Sequence, residues 1–258
     1  MSIILNECKY AKYVIEQGEV DKKPSSTLFL LARYYKQKEN LNKEQIFDRL
    51  NTFMQKNYSG YNAALWEDII EDIYKKSDRY PLKEINHIGI TQSELDKIET
   101  LPNIRYKKLA FTMLCYAKLY NTVFENNNGW VNTKIKDIYK TASVTVKHRE
   151  DKFLYLNDLA HMEYISLSNK NDNLNLRITF ADMTSSTVLE ISDFRELGLE
   201  YLYYIGDGNF IRCSRCNRLV RKKSKNDYST KYCRDCAYKI NLKKTRESMK
   251  IKYNSLKA

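Results

Sequence analysis

The sequence predicts a mainly helical protein with small β hairpins, and three observations lead to that fold class. Apolar residues recur at intervals of three and four along much of the chain, which is typical of helices. Short alternating runs flank an Asn- and Asp-rich turn, which indicates a hairpin. Two Cys-x2-Cys pairs lie in a basic C-terminal segment. The predicted parts are a helical bundle at 1–82, a second domain at 83–192, a connector helix at 193–210, and a cysteine-rich module with a basic helix at 211–258.

The first part is predicted to contain three packed helices. Pro24 opens the first, and Asn42 with Gln45 forms a capping box for the second. The third follows Asn62 and is predicted to line one side with Leu65, Trp66, Ile69, Ile70 and Ile73. Beside that side lie four carboxylates, those of Glu67, Asp68, Glu71 and Asp72. Such a cluster is able to bind a catalytic metal, but its position on the helix favours a solvated face.

The second part begins with a strand and two helices. A short apolar run at 85–90 is predicted to be the strand. Thr91 and Glu94 form a capping box for a helix that ends before Pro102. The following helix, at 106–120, is apolar nearly all round, so we expect it to lie in the core.

The next elements have the order of a winged helix-turn-helix. A short strand at 130–132, a short helix ending at Tyr139, a longer helix at 145–162 and a hairpin at 164–178 follow one another. In such folds the longer helix enters the major groove of DNA with its first residues on base edges.

Donor-rich side chains lie where that helix is predicted to begin. We expect it to contact DNA through Thr145, Lys147, His148, Arg149 and Lys152, and the hairpin tip to touch a phosphate through Lys170. Glu150 and Asp151 interrupt this patch, and the same scaffold also binds proteins, so a protein partner is the alternative.

The connector is predicted to add a strand at 188–191 and a helix at 194–205 that Asp193 caps. A further strand at 210–212 then leads into the cysteine-rich module.

The cysteine pattern predicts a zinc ribbon. Cys213 and Cys216 form one Cys-x2-Cys pair, and Cys233 and Cys236 form the second after sixteen residues. Zn²⁺ prefers four soft ligands in a tetrahedron, and this spacing presents two sulfurs from each turn. A disulfide scaffold fits less well, because four of the six cysteines fall in this one pattern. We also expect a positive φ at Asn217, since the residue after a knuckle often adopts the left-handed region.

The positive charge of the chain is concentrated in this module. The whole sequence carries a net charge of +12, whereas residues 211–258 hold 16 Lys and Arg against three acidic residues, a net of +13 that leaves about −1 for the rest. Such a local field is typical of a nucleic-acid contact, although a solubilising tail is the alternative. The phosphate contacts expected around the cysteines and along the basic helix are Arg215, Arg218, Arg221, Lys222, Lys223, Lys225, Lys239, Lys243, Arg246 and Lys250.

Parts of the sequence resemble two groups of known proteins. The segment 28–35, with Phe53-Met54 and 66–70 after it, is similar to the small helical domain found C-terminal to some primases. The segments 130–133 and 191–195, together with the cysteine pairs, resemble uncharacterised proteins of Gram-positive phages and prophages. The second resemblance implies a phage or mobile-element origin and does not imply an activity.

The sequence therefore predicts a cytoplasmic, non-enzymatic protein of a bacterial host cell. It has no apolar segment of signal-peptide or transmembrane type, and we find no glycine-rich phosphate loop, nucleophile elbow or HExxH motif. The first hypothesis is a phage-type nucleic-acid-binding protein, with double-stranded DNA as the expected ligand, acting in replication or transcription control. The alternative is a factor that docks on a host complex such as a polymerase, a helicase or a defence effector.

Overall fold

The protein is mainly helical, with small antiparallel sheets and a cysteine cluster near the C-terminus. The structure, a computed structural model, describes residues 3–148, 150–168 and 175–255. The chain divides into two compact units, one from Ile3 to Asn86 and one from His87 onward.

The first unit consists of four helices around one core. They are α1 (Glu7–Gln17), α2 (Pro24–Gln37), α3 (Lys43–Asn57) and α4 (Ala63–Ser77). Helix α2 is the central element, because eight of its residues are buried. The predicted capping box at the start of α3 is confirmed: Asn42 accepts from the Gln45 amide, and the Gln45 side chain accepts from the Asn42 amide. Helix α1 was not predicted.

The apolar residues of α4 do not all share one buried side, as the sequence had predicted. Ile70 and Ile73 are buried, but Leu65 is 75% exposed and Ile69 is 40% exposed. At 100° per residue the five apolar residues span an arc of about 140°, with Leu65 and Ile69 toward one edge, and the part of the arc with Ile70 and Ile73 is the part that meets α2 and α3. Within the described ranges, the four carboxylates beside them do not converge as metal ligands, and Glu71 pairs with Lys43 at 2.8 Å.

The second unit holds six helices and seven short strands among its described residues. The helices are α5 (Gln92–Glu99), α6 (Ile104–Val123), α7 (Ile135–Thr141), α8 (Glu150–His161), α9 (Leu197–Tyr204) and α10 (Arg234–Ser255). The strands are β1 (Ile88–Thr91), β2 (Trp130–Val131), β3 (Ile165–Leu167), β4 (Leu176–Ile178), β5 (Thr187–Ile191), β6 (Phe210–Arg212) and β7 (Leu219–Arg221). They pair antiparallel in three sheets, β1-β5, β2-β4-β3 and β6-β7.

Helix α6 is the core of this unit, as predicted, with every residue from Leu109 to Leu119 buried. Its one buried cation, Lys118, donates to both Glu94 oxygens at 2.9 and 2.8 Å and to the Asp182 carbonyl at 2.6 Å. The Thr91 amide donates to the same Glu94 carboxylate at 2.8 Å, so the predicted capping box is present and is tied to the core. A buried ion pair of this kind is tolerated because its polar atoms are satisfied.

The sequence correctly predicted the hairpin after α8 but placed the start of α8 too early. Strands β3 and β4 pair with Ile165 opposite Ile178 and Leu167 opposite Leu176, and β2 extends the sheet. Helix α8 begins at Glu150 and not at Thr145. The amide of His148 donates to the Asp151 carboxylate at 3.2 Å, which satisfies a donor ahead of the first turn and leaves 145–148 in the connection.

Helix α9 also begins later than predicted, at Leu197, and Asp193 does not cap it. Its N-terminal turn packs closely on the turn after α7, because a Cβ added at Gly198 would lie 1.9 Å from the Ala142 carbonyl oxygen. Only a glycine fits this contact.

We expect Gly198→Ala to lower the free energy of unfolding of the second unit by about 1–3 kcal/mol, since the backbone must shift to admit the methyl group. The measurement is urea unfolding followed by Trp130 fluorescence in a Trp66→Phe background, which leaves one tryptophan. Gly60→Ala is the control: the atoms nearest to its Cβ would be those of the Tyr58 ring at 3.5 Å, and because Gly60 lies in the first unit, the transition reported by Trp130 should not change. An unchanged midpoint for Gly198→Ala would contradict the close contact.

Candidate metal centre and cationic surface

Four cysteine sulfurs converge at one point between β6, β7 and α10. The Sγ atoms of Cys213, Cys216, Cys233 and Cys236 all lie within 4.8 Å of one another. The Cys216 and Cys233 sulfurs are 3.7 Å apart, far beyond the ~2.05 Å of a disulfide bond. Zn–S bonds of about 2.3 Å in a tetrahedron require sulfurs about 3.8 Å apart. The four thiols are therefore positioned to hold a metal ion, and the donor set suits a soft divalent cation.

The first knuckle forms because the hairpin β6-β7 closes directly on it. The Cys213 amide donates to the Arg218 carbonyl at 2.9 Å, and the Asn217 amide donates to the Cys213 carbonyl at 2.8 Å. Asn217 has a φ of +56°, which confirms the prediction for this position. Asparagine is among the few non-glycine residues that adopt this region readily.

The second knuckle opens α10. Cys233 precedes the helix, Cys236 lies in its first turn, and the Cys236 amide points at the Cys233 sulfur at 3.4 Å. The amide and hydroxyl of Ser214 both donate to the Lys231 carbonyl, at 3.0 and 3.3 Å. These bonds join the two knuckles into one module, which we call the four-cysteine module (residues 209–236).

The thiols are electrostatically unequal. Burial acts to raise the pKa of Cys213, but backbone amides outweigh it and lower that pKa to about 6. Burial and the neighbouring sulfurs raise the pKa of Cys236. Four thiolates at these distances repel one another, so full deprotonation requires a cation among them.

Two arginine–carboxylate contacts and one arginine–carbonyl contact fix the four-cysteine module to the segment 193–200. Arg212 donates to both Glu200 oxygens at 2.6 Å, and Arg218 pairs with Glu196. Arg195 donates to the Cys216 carbonyl at 2.8 Å, and its guanidinium also donates to the Asp193 carboxylate. Bidentate contacts of this kind define orientation as well as adding energy. The four-cysteine module is thus held in a defined position on α9.

Sequence reasoning missed these carboxylates. Glu196 and Glu200 are four residues apart, so they face one side of the first turns of α9. A sequence signal for these contacts was available: two acidic residues at helical spacing precede a module rich in arginine. Glu196 also accepts from the Ser143 hydroxyl at 3.0 Å, which links the module to the turn between α7 and α8.

The predicted phosphate contacts of the four-cysteine module occupy different environments. Arg221, Lys223 and Lys225 are exposed, whereas Arg215 and Lys222 are half-buried. The Lys222 ammonium donates to the Lys225 carbonyl at 3.0 Å. The Arg218 guanidinium lies between Glu196 and Asp235 and pairs with both carboxylates. In this structure Arg218 therefore helps to hold the four-cysteine module in place.

Helix α10 carries the remaining cations on an exposed rod. Its 22 residues span about 33 Å, and every side chain from Asn241 to Met249 is exposed. Lys239, Lys243 and Arg246 lie on one side of the helix, at intervals of four and three. The side chain of Lys250 lies outside the described residues.

The predicted groove-reading residues lie on and before α8. Thr145, Lys147 and His148 are exposed in the connection, and Lys152 is half-buried with its ammonium 5.6 Å from the centre of the Tyr139 ring. Arg149 and Lys170 lie outside the described residues.

The outer surface of α8 is apolar and acidic rather than basic. Phe153 is 39% exposed and Leu154 is 59% exposed, and Glu150 and Asp158 are exposed beside them. Next to this surface an open groove of about 410 Å³ runs between α8 and the start of α6. The side chains around it include Asn103, Arg105, Tyr106, Lys147, Asp151 and Tyr155.

None of the helices in the described ranges is long and apolar enough to cross a membrane. Comparison of the chain with protein-family models, with curated proteins and with solved structures finds no match.

Proposed function

We propose that the chain is a zinc-containing nucleic-acid-binding protein of phage type that acts in replication or transcription control. The observation that carries this proposal is the position of the charge. Residues 211–258 hold a net +13, and most of it lies on a fixed cysteine module and an exposed helix. A cationic surface of this kind attracts the phosphate backbone of a nucleic acid, with DNA the expected form.

Zinc fits the module by donor type and spacing. Cys213, Cys216, Cys233 and Cys236 would hold it, and the metal would keep the two knuckles together without taking part in any reaction. The metal would then fix the orientation of the basic loop, which lies between the two cysteine pairs, relative to the first turn of α10. A rigid cationic surface loses less conformational entropy on binding than a flexible tail does.

A winged helix-turn-helix is the proposed role of α7, α8 and the β2-β4-β3 sheet. Their order and pairing support it, and Thr145, Lys147 and His148 are exposed just before α8. Glu196 joins this region to the four-cysteine module through Ser143 and Arg218, so both surfaces are able to act on one nucleic acid.

The test is a fluorescence anisotropy titration of labelled DNA with the metal-loaded full-length chain and with a chain ending at residue 210. We expect the full-length chain to bind and the shortened chain to lose most of its affinity, since the shortened chain has a net charge near −1. Undiminished binding by the shortened chain would contradict the proposal. Circular dichroism of the shortened chain serves as the folding control, because its Glu196 and Glu200 lose their arginine partners.

The surface of α8 favours a second candidate, a factor that docks on a host protein complex. Exposed carboxylates repel phosphates, whereas exposed Phe153 and Leu154 beside Glu150 and Asp158 suit a partner with apolar and basic side chains. Absence of DNA binding by either chain in the titration above would favour this candidate over the first.

A further inference from the structure

Exposed tyrosines are concentrated in the same segment as the positive charge. Of the 21 tyrosines in the chain, seven are exposed in the part that the structure describes. Four of these seven lie in the four-cysteine module and α10, which make up less than a fifth of the sequence: Tyr228 (81% exposed), Tyr232 (39%), Tyr238 (64%) and Tyr253 (58%). Packing does not account for Tyr228 and Tyr238, because most of the surface of each ring faces solvent.

Each part of this segment combines a ring with cations. In the loop between the cysteine pairs, the Lys222 ammonium lies 5.3 Å from the centre of the Tyr228 ring, and Lys223 and Lys225 are exposed nearby in sequence. Helical spacing places Tyr238 and Tyr253 within about 60° of each other on α10. The cationic side with Lys243 and Arg246 is adjacent to that aromatic side.

A duplex offers few free base faces on which such rings could stack, because its bases are already stacked on one another. An unpaired strand exposes the flat face of every base, and aromatic side chains bind those faces in a groove whose cations follow the backbone. The combination of exposed rings with adjacent lysines is therefore the chemistry that recognises unpaired nucleotides.

We infer that the four-cysteine module and α10 bind a single-stranded nucleic acid, with phosphates on the lysines and arginines and bases stacked on Tyr228 and Tyr238. This inference rests on the proposed nucleic-acid binding, and it specifies which form of nucleic acid this segment binds. A cationic stripe along α10 disfavours a second copy of the same helix as the occupant, because like charges would face each other.

The experiment measures the affinity of the metal-loaded full-length chain for a labelled oligo-dT of about 20 nucleotides and for a duplex of the same length at one salt concentration, a strand long enough for one to several single-strand sites. We expect tighter binding to the single strand. Tyr228→Ala and Tyr238→Ala are each expected to weaken that binding by roughly 5- to 100-fold, with little effect on the duplex. Tyr228→Phe and Tyr238→Phe keep the ring and should restore the affinity to within about 2-fold.

The matched control is Tyr80→Ala, which removes an exposed tyrosine from the first unit. Zinc content reports whether each variant retains its fold. Equal or tighter binding to the duplex, with both alanine variants unchanged, overturns this inference but leaves the proposed function standing. No binding to either nucleic acid overturns both. A dimer that Tyr238→Ala converts to a monomer, with strand affinity unchanged, assigns the rings to a protein interface and also overturns the inference.

Discussion

Replacing Cys216 or Cys233 by serine is expected to abolish stoichiometric metal binding and to loosen the segment from β6 to the start of α10. Structural zinc contributes apparent binding free energies of about 10–16 kcal/mol in small zinc domains, so loss of one thiolate removes a large part of the folding energy of this module. Native mass spectrometry should show one zinc per wild-type chain and none in the variants. Hydrogen exchange should show faster exchange at the amides of 210–221.

Cys8→Ala is the matched control, because Cys8 is a free, buried thiol in the first unit and lies outside the sulfur cluster. It should leave the zinc content and the exchange of the module unchanged. Two results would contradict the metal site: absence of metal from wild-type protein purified without chelators, or unchanged metal content in a variant with all four sulfurs replaced by serine.

Local features of this chain were predictable because each depends on a few neighbouring residues. The four ligands follow from two knuckle spacings, and the positive φ of Asn217 follows from its place after the second cysteine. The capping boxes at Asn42 and Thr91 need only the residue three positions later. The β3-β4 register follows from alternation around one turn.

Features that depend on distant partners were not predictable. Glu200 is 6% exposed because Arg212, twelve residues away, satisfies its carboxylate. The exposure of Leu65 depends on which side of α4 meets the other helices, and hydrophobicity alone does not specify that side. The late start of α8 is a different case, because the Asp151 carboxylate that accepts from the His148 amide is only three residues away and this local contact was missed. In each case a polar or packing partner outweighed a local preference.

Neutralising the cationic side of α10 is expected to change the salt dependence of nucleic-acid binding as well as the affinity. For the wild-type chain on duplex DNA we expect log K to fall with log salt at a slope of roughly −4 to −6, as for about five to seven phosphate contacts. Lys243→Gln with Arg246→Gln removes two contacts, so the slope on the duplex should become shallower by about 1.8. Anisotropy titrations at several salt concentrations between about 50 and 200 mM give both slopes.

The decisive comparison is with a variant of the same net charge. Lys75→Gln with Lys76→Gln removes two positive charges from the exposed end of α4, where each lysine makes only a surface ion pair with an acid four residues earlier. If the protein acted on DNA through its overall charge alone, both double variants would shift the affinity equally. Contact with phosphates along α10 instead changes the slope for the α10 variant alone, because counterion release occurs only where a cation meets the backbone. Equal slopes in all three proteins would remove α10 from the interface.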